Sequence, residues 1–185
     1  MILYLLDNVG HSFSARSISN YLKQENRKVS AETILNYIKA CCDAYLFIKL
    51  RREDIQGKKI LSVNEKYYSV DHGLRESILR SNTRNIDQVL ENIVCMELLR
   101  RGYTVTIGKN GEKEIDFIAS KNKDKLYIQV TYLLAGSETI EREFGIYDLV
   151  RDHYPKYVLS LDEFDMSRDG IKHQNIRDFL LAKAW

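Results

Sequence analysis

EIDFIASKNKDKLYIQVTY, residues 114–132, reads as two β-strands joined by a polar turn. Apolar side chains and β-branched or aromatic residues fill EIDFIAS and LYIQVTY, and KNKDK between them has the composition of a tight connection. Period two puts Glu114 and Asp116 on one face of the first strand, with Ile115 and Phe117 on the other. The same parity groups Gln129 with Thr131 on the second strand, opposite Ile128 and Val130. Pairing through the turn then brings Asp116 to Gln129 or Thr131, with Glu91 of the preceding helix directed to the same end of the sheet.

Two carboxylates at such a corner raise the question of metal-dependent hydrolysis. A hard cation such as magnesium takes several oxygen ligands, and phosphodiester cleavage adds a lysine beside the attacking water or the developing charge. Gln129 and Thr131 supply an amide and a hydroxyl, neither with formal charge, so the pattern predicts weak metal binding and weaker cleavage. Two readings stay open. Glu114 and Asp116 are an ordinary polar edge paired with Lys113, Lys123 or Lys125, or they are the remnant of a metal site. In the second reading the candidate catalytic residues are Glu91, Asp116, Gln129 and Thr131, the metal candidates are Glu91 and Asp116, and a lysine is recruited from Lys125 or Lys109.

Before these strands, a long helix from about Ile86 to Arg101 with Leu90, Ile93, Val94, Leu98 and Leu99 on a broad apolar face stops at Gly102. Strand YTVTIGK precedes the quoted stretch, and a helix from about Ser137 to Arg151, strand KYVLSL and a terminal helix near NIRDFLLAK follow it. Glu141-Arg142-Glu143 reads first as a solvated helix start, with Glu143 or Arg142 facing the strand cluster as the second reading, and His11, His72, His153 and His173 read as surface or loop residues. Strands gathered between helices predict an α/β layer on a mixed sheet.

Upstream, Ser14 caps a helix over ARSISNYLKQ, with Ile18, Tyr21 and Leu22 on one face, and Ser30 caps a second lined by Ile34, Leu35, Tyr37, Ile38 and Cys41. AYLFIKLRRED and ILSVNEKYYSVD flank the turn IQGKK as a hairpin. Helix, helix and basic hairpin is the order of a winged helix-turn-helix. Tyr21, Tyr37 and Tyr45 are expected in its core. Residues 1–70 hold eleven Lys or Arg against seven Asp or Glu, whereas the whole chain of 185 residues carries only +2. Nucleic-acid contact, if made, is therefore local, with Arg16, Lys23, Arg27, Lys28, Lys39, Arg51, Arg52, Lys58 and Lys59 as candidates. Docking to protein accounts for the same charge.

No apolar run approaches the ~20 residues needed to cross a bilayer, so no membrane partner is expected and the cytoplasm is the default location. Cys41, Cys42 and Cys95 lack metal-ligand spacing and read as free thiols. The apolar run ILYLL opens on Met1 without a cap, as in a piece excised from a longer protein or, alternatively, a short natural helix.

The blocks ENIVCMELLRRGYTVTIGK, KEIDFIA, YIQVTYLLA, ETIEREF, YPKYVLSLDEF and DGIKHQNIRDFLLA resemble, in order, the C-terminal region of a family of prokaryotic AAA+ ATPases that ends in a domain of unknown function. SARSISNYLK, ILNYIKAC and KYYSVDHGLR resemble its winged-helix segment, so the likeness covers nearly the whole chain. It implies an upstream P-loop module that uses ATP and magnesium, then a winged helix, then a domain similar to the restriction-endonuclease-like, PD-(D/E)XK nucleases. Carried across, Glu91 corresponds to that superfamily's helix acid, Asp116 to its central aspartate, and Gln129 and Thr131 to the acid and lysine of its third motif. The last two depart from the active pattern. Neither GxxxxGK[ST] nor GxGxxG occurs in these 185 residues, so no cofactor is expected for this chain itself.

The fold expected is thus α/β: a winged-helix domain over 1–72, a linker over 73–85 and a nuclease-like domain with a central mixed sheet over 86–185. The function expected is non-catalytic binding or assembly, on DNA, on protein or on a sister subunit. A magnesium-dependent endonuclease is the alternative.

Overall fold

The structure, a computed structural model, describes residues 1–57, 59–79 and 86–183, without the side chains of residues 62–64. It is an α/β fold with a central mixed sheet and several helices. The chain divides into two compact units, Met1–Arg51 with Ser62–Arg84, and Arg52–Leu61 with Asn85–Trp185. Among the described residues no helix is long and apolar enough to cross a membrane.

The first unit contains α1 (Ile2–Asp7), α2 (Ala15–Gln24), α3 (Ala31–Asp43), most of β1 (Phe47–Asp54) and β2 (Ile60–Ser69), and α4 (His72–Leu79). Both expected caps form. Ser14 Oγ accepts the Ser17 N–H and Ser30 Oγ accepts the Thr33 N–H, each at 3.0 Å, satisfying donors that a helix start leaves without a partner. Between the helices Asn26 takes φ +58°, and Ser19 Oγ donates to the Val29 carbonyl at 2.7 Å, which fixes the turn. Leu5, Leu6, Ile18, Ile34, Ile38, Phe47 and Tyr68 fill the core. Arg75 of α4 is buried, and its Nε donates to the Leu6 carbonyl at 3.0 Å, tying α4 to the end of α1.

The expected tyrosine core is not there. Tyr21, Tyr37 and Tyr45 are 59%, 53% and 81% exposed, and Leu35 is exposed as well. The buried stripe of α3 is narrow, Ile34, Ile38 and Cys41, and the remaining apolar residues of the helix fall outside it. Tyr45 lies just past the α3 C-cap at φ +56°, where the Leu46 N–H returns to the Cys41 carbonyl at 3.0 Å. Glycine is the usual occupant of that left-handed position.

The second unit adds α5 (Ile86–Arg100), β3 (Thr104–Asn110), β4 (Lys113–Lys121), β5 (Asp124–Val130), α6 (Ser137–Gly145), a 3-10 turn (Ile146–Leu149), β6 (Lys156–Ser160), β7 (Lys172–Asn175) and α7 (Ile176–Leu181). Counting the hairpin tip Arg52–Leu61, which belongs here, the strand order is β2-β1-β3-β4-β5-β6-β7. β3, β4 and β5 are antiparallel neighbours, while β1 on β3, β5 on β6 and β6 on β7 are parallel. On β4, Phe117, Ile118 and Ala119 are all buried, as in a strand covered on both faces.

Strand parity breaks at the middle of β4. Thr106 pairs with Ile118 and Gly108 with Ile115, so Asp116 and Phe117 together oppose Ile107. This is a β-bulge, which bends a strand and re-aims the side chains around it. Ile115 and Ile118 consequently enter the same core cluster, with Tyr127, Leu134, Phe144, Tyr147 and Val158. Gly108 faces both isoleucines, and a Cβ there would stand 3.0 Å from that of Ile115.

KHQN, without an apolar residue to signal a strand, forms β7, and His173 within it is buried rather than at the surface. Its Nδ1 accepts the Met166 N–H at 3.2 Å, which leaves the ring proton on Nε2 to donate to Ser160 Oγ at 2.8 Å. Ser160 in turn donates to Asp162 Oδ2 at 2.7 Å. Burial lowers the His173 pKa below the ordinary histidine value, and Asp162 and Asp165 oppose that only in part. In the window from about pH 6.5 downward the unfolded chain binds a proton that the native state refuses, so stability is full above the window and declines as pH falls through it. The expected slope is at most about 1.4 kcal/mol per pH unit, one proton's worth. Denaturant titrations at pH 7.5, 6.5 and 5.5 check it: the wild-type loss over this range exceeds that of His173→Gln, and parallel curves would remove His173 as the cause.

Candidate functional site

The end of β5 and the segment after it pass a row of carboxylates. Val130 N–H donates to Asp116 Oδ2 at 2.9 Å, Tyr132 N–H to Asp87 Oδ1 at 2.7 Å, and Leu134 N–H to Asp162 Oδ2 at 2.8 Å. The Thr131 N–H between them donates to the Leu159 carbonyl at 3.0 Å. Gln129 Oε1 reciprocates by accepting the Asp116 N–H at 3.2 Å. The β4–β5 ladder registers from Phe117 with Ile128, and at Asp116 side-chain acceptors replace it. A carboxylate that accepts a backbone N–H makes a charge-assisted bond, roughly twice as strong as a neutral one.

Asp116 and Gln129 therefore meet, as strand pairing predicted. Thr131 is buried beside them in sequence, and Glu91 is partly buried on α5, one turn beyond Asp87. Asp87 and Asp116 both act electrostatically on Arg142, raising its pKa together with the larger effect of Glu143. Arg142 donates through Nε and Nη2 to Glu143 Oε1, at 2.9 and 2.7 Å.

Asp87 is the residue that sequence reasoning missed. Glu143 takes the second of its two readings, facing the strands and not solvent: it is 3% exposed, and its Oε2 is buried with no hydrogen-bond partner among the described residues. It shares a helical face with Ile140, Phe144 and Tyr147, the three-and-four spacing of a buried stripe with a glutamate in it. Tyr147 is fully buried, donates to the Tyr157 carbonyl, and has its pKa driven far up by burial and then by Asp116 and Glu143. A cleft of about 490 Å³ beside Gln129 is lined by Lys113, Glu114, Glu141, Arg142 and Asp148 among others, a mixed set of charges.

Of the two lysines expected to complete a catalytic site, Lys125 is held by another carboxylate. Lys125 Nζ is 2.7 Å from Glu53 Oε1, whose other oxygen accepts from Thr106 Oγ1 at 3.0 Å. Lys109 stands across from Glu114 on β3, and Glu114 pairs with Arg52 at 2.8 Å. Magnesium requires several free oxygen ligands. Here Asp116 Oδ2, Gln129 Oε1 and Glu143 Oε1 are held by protein donors, and no group of three or more His, Cys, Asp or Glu among the described residues is placed to hold a metal ion. The residues do not fit a magnesium site.

Of the phosphate-contact candidates, Arg16, Lys23, Arg27, Lys28, Arg51 and Lys59 are exposed, and Lys39 is exposed but paired with Asp43. Arg52 must be withdrawn: its side chain is 6% exposed and ion-paired. Lys58 lies outside the described residues.

No protein-family model matches the chain, and no solved structure shows significant similarity to it. It is similar to an uncharacterized protein of Haemophilus influenzae, 40% identical over 98% of this chain and 45% of that protein. A second similarity is to an uncharacterized protein of Methanocaldococcus jannaschii, 34% identical over 78% of this chain and 32% of that protein. The chain spans less than half the length of either relative.

Proposed function

We propose that the chain is a non-catalytic binding or assembly region of a larger AAA+ ATPase, built from a winged helix and a restriction-endonuclease-like domain whose nuclease site has decayed. The observation that carries this reading is the use of Asp116. Its carboxylate serves as a backbone acceptor for Val130, and Lys125, one of the two lysines expected beside it, pairs with Glu53 instead. A nuclease keeps that carboxylate for metal, whereas here it closes a gap in the sheet.

Support for the winged helix comes from two capped helices with a fixed turn, followed by a hairpin. Exposed Arg16, Lys23, Arg27 and Lys28 offer phosphate contacts along α2 and the turn after it, with Tyr21 and Tyr37 exposed on the same two helices. An ATPase module would lie in the additional length that the relatives possess. The endonuclease alternative has one observation in its favour, the buried Glu143 oxygen without a partner.

Supercoiled plasmid incubated with the chain in magnesium or manganese is expected to stay uncut to the level of Asp116→Asn. Cutting by the wild type that vanishes in this variant overturns the non-catalytic reading. Duplex affinity that falls with salt, and falls further in Arg27→Glu with Lys28→Glu, makes DNA the partner. If affinity is the same in that variant, the partner is protein.

A further inference from the structure

Two adjoining clefts of the second unit share Tyr103 and Lys121, the latter the last residue of β4 and five positions beyond Asp116. One, of about 600 Å³, is bordered by Arg100, Arg101 and Lys183 and by the end of α7. The other, of about 340 Å³, runs past Lys125 and Asp124 to Tyr154 and Pro155. Positive charge exceeds negative along this path. Arg100 and Arg101 share one carboxylate, that of Glu97. Lys121 donates to the Arg101 carbonyl at 2.7 Å and stands 5.5 Å from the Tyr103 ring centroid, and Lys183 is exposed. Lys125 is neutralised by Glu53, and Asp124 is the acid on the rim. Arg101 also keeps a buried Nη1 that has no hydrogen-bond partner among the described residues.

The hairpin turn at this mouth is strained in an informative way. Asn122 and Lys123 take φ +51° and +75°, the two left-handed residues of a type I′ turn. Asn-Gly is the relaxed sequence for that turn, and a side chain at the second position costs about 1 kcal/mol. The chain places an exposed lysine there. Strain held at a surface turn, where it adds a cation beside an already basic cleft, points to a ligand.

We propose that these joined clefts bind single-stranded nucleic acid, with phosphates on Arg100, Lys121, Lys123 and Lys183 and bases against Tyr103 and Tyr154. Cations interleaved with aromatic rings suit a strand whose bases are free to stack on protein. A duplex is excluded by the same feature, because its base faces are already stacked and the tyrosines sit within the clefts. Its residues are other than those of α2 and α3 offered above for duplex contacts.

The full chain carrying Arg27→Glu with Lys28→Glu, which takes the α2–α3 face out of the comparison, is titrated onto a labelled oligothymidylate of about fifteen nucleotides, a length within the range of single-strand sites, and followed by anisotropy across a salt series. Oligouridylate and blunt duplex of equal length form the other arms. Saturable binding to either single strand is expected, tighter than to duplex, and the two single strands tell DNA from RNA. Tyr154→Ala weakens it about ten-fold with the salt slope unchanged. Lys183→Gln lowers that slope by about 0.7, the share of one neutralised phosphate on a single strand. Lys123→Gly raises the melting temperature while lowering affinity, opposite signs that a purely structural lysine does not produce. Absence of saturable binding at low salt, affinities untouched by Tyr154→Ala and Lys123→Gly, or duplex preference would each overturn the proposal, and none of them bears on Arg27 and Lys28.

Discussion

Arg52→Ala lowers the stability of the chain by about 3 kcal/mol, the lower end of what breaking a buried ion pair costs. The guanidinium is 6% exposed and 2.8 Å from Glu114, whose side chain is 22% exposed. Removing the arginine leaves a mostly buried carboxylate without its cation, and that unpaired charge, rather than the lost attraction, sets the size of the effect. For a chain of this length the shift in melting temperature is about 10 °C, at roughly 2–4 °C per kcal/mol. The double variant Arg52→Met with Glu114→Leu recovers most of the loss, because apolar residues of similar volume need no desolvation. Thermal melts of the wild type, Arg52→Ala and the double variant decide the matter. A single variant that melts with the wild type would mean that Glu114 finds water or another cation, and Arg52 would return to the set of candidate DNA contacts.

Arg52 also marks how far local pattern carried the fold. The strand FIKLRRED alternates, so one of the two adjacent arginines had to point inward on any register. Which one did so depends on β3, whose Ile107 pairs with Arg52 from 55 residues away. The helices α2, α3 and α5 and the strands β3 to β5 were legible because caps, glycines and apolar spacing agree at each of them. β7 was not, since KHQN contains no apolar residue and its buried member is a histidine held by a serine and a backbone amide. The helix expected to run to Arg151 ends as α6 at Gly145 and passes into a 3-10 turn that carries Tyr147 inward.

At the candidate site, residue types were legible and their roles were not. Period two placed Glu114 and Asp116 on one face, and the bulge at Asp116 and Phe117 then altered what each meets. Glu114 turns to Arg52, and Asp116 to the Val130 amide. A bulge is set by the partner strand's register, which no window of ten residues encodes. Asp87 and Glu143 had weaker signals, an i, i+4 relation to Glu91 and a place in an apolar stripe, and each became meaningful only once α5 and α6 were set against the sheet.

Asp116→Ala is expected to cost about 2 kcal/mol, the range for a hydrogen bond to a charged group whose partner is then left without an acceptor. Val130 is 7% exposed, so water replaces the carboxylate poorly. Asp116→Asn keeps an oxygen at the same place and loses less than about 1 kcal/mol, the difference between charged and neutral acceptors. The contrast between the two variants separates the possible duties of this residue. If Asp116 is chiefly a strand fastener, the order of stability is wild type, Asn, Ala, and amide exchange accelerates at residues 130–134 in the alanine variant before it does elsewhere. If it is held in reserve for a cation, removing its charge, which acts on Tyr147 together with that of Glu143, relieves repulsion, and both variants melt above the wild type. The second outcome would reinstate a metal-dependent nuclease, because natural proteins tolerate such repulsion chiefly where a function requires it.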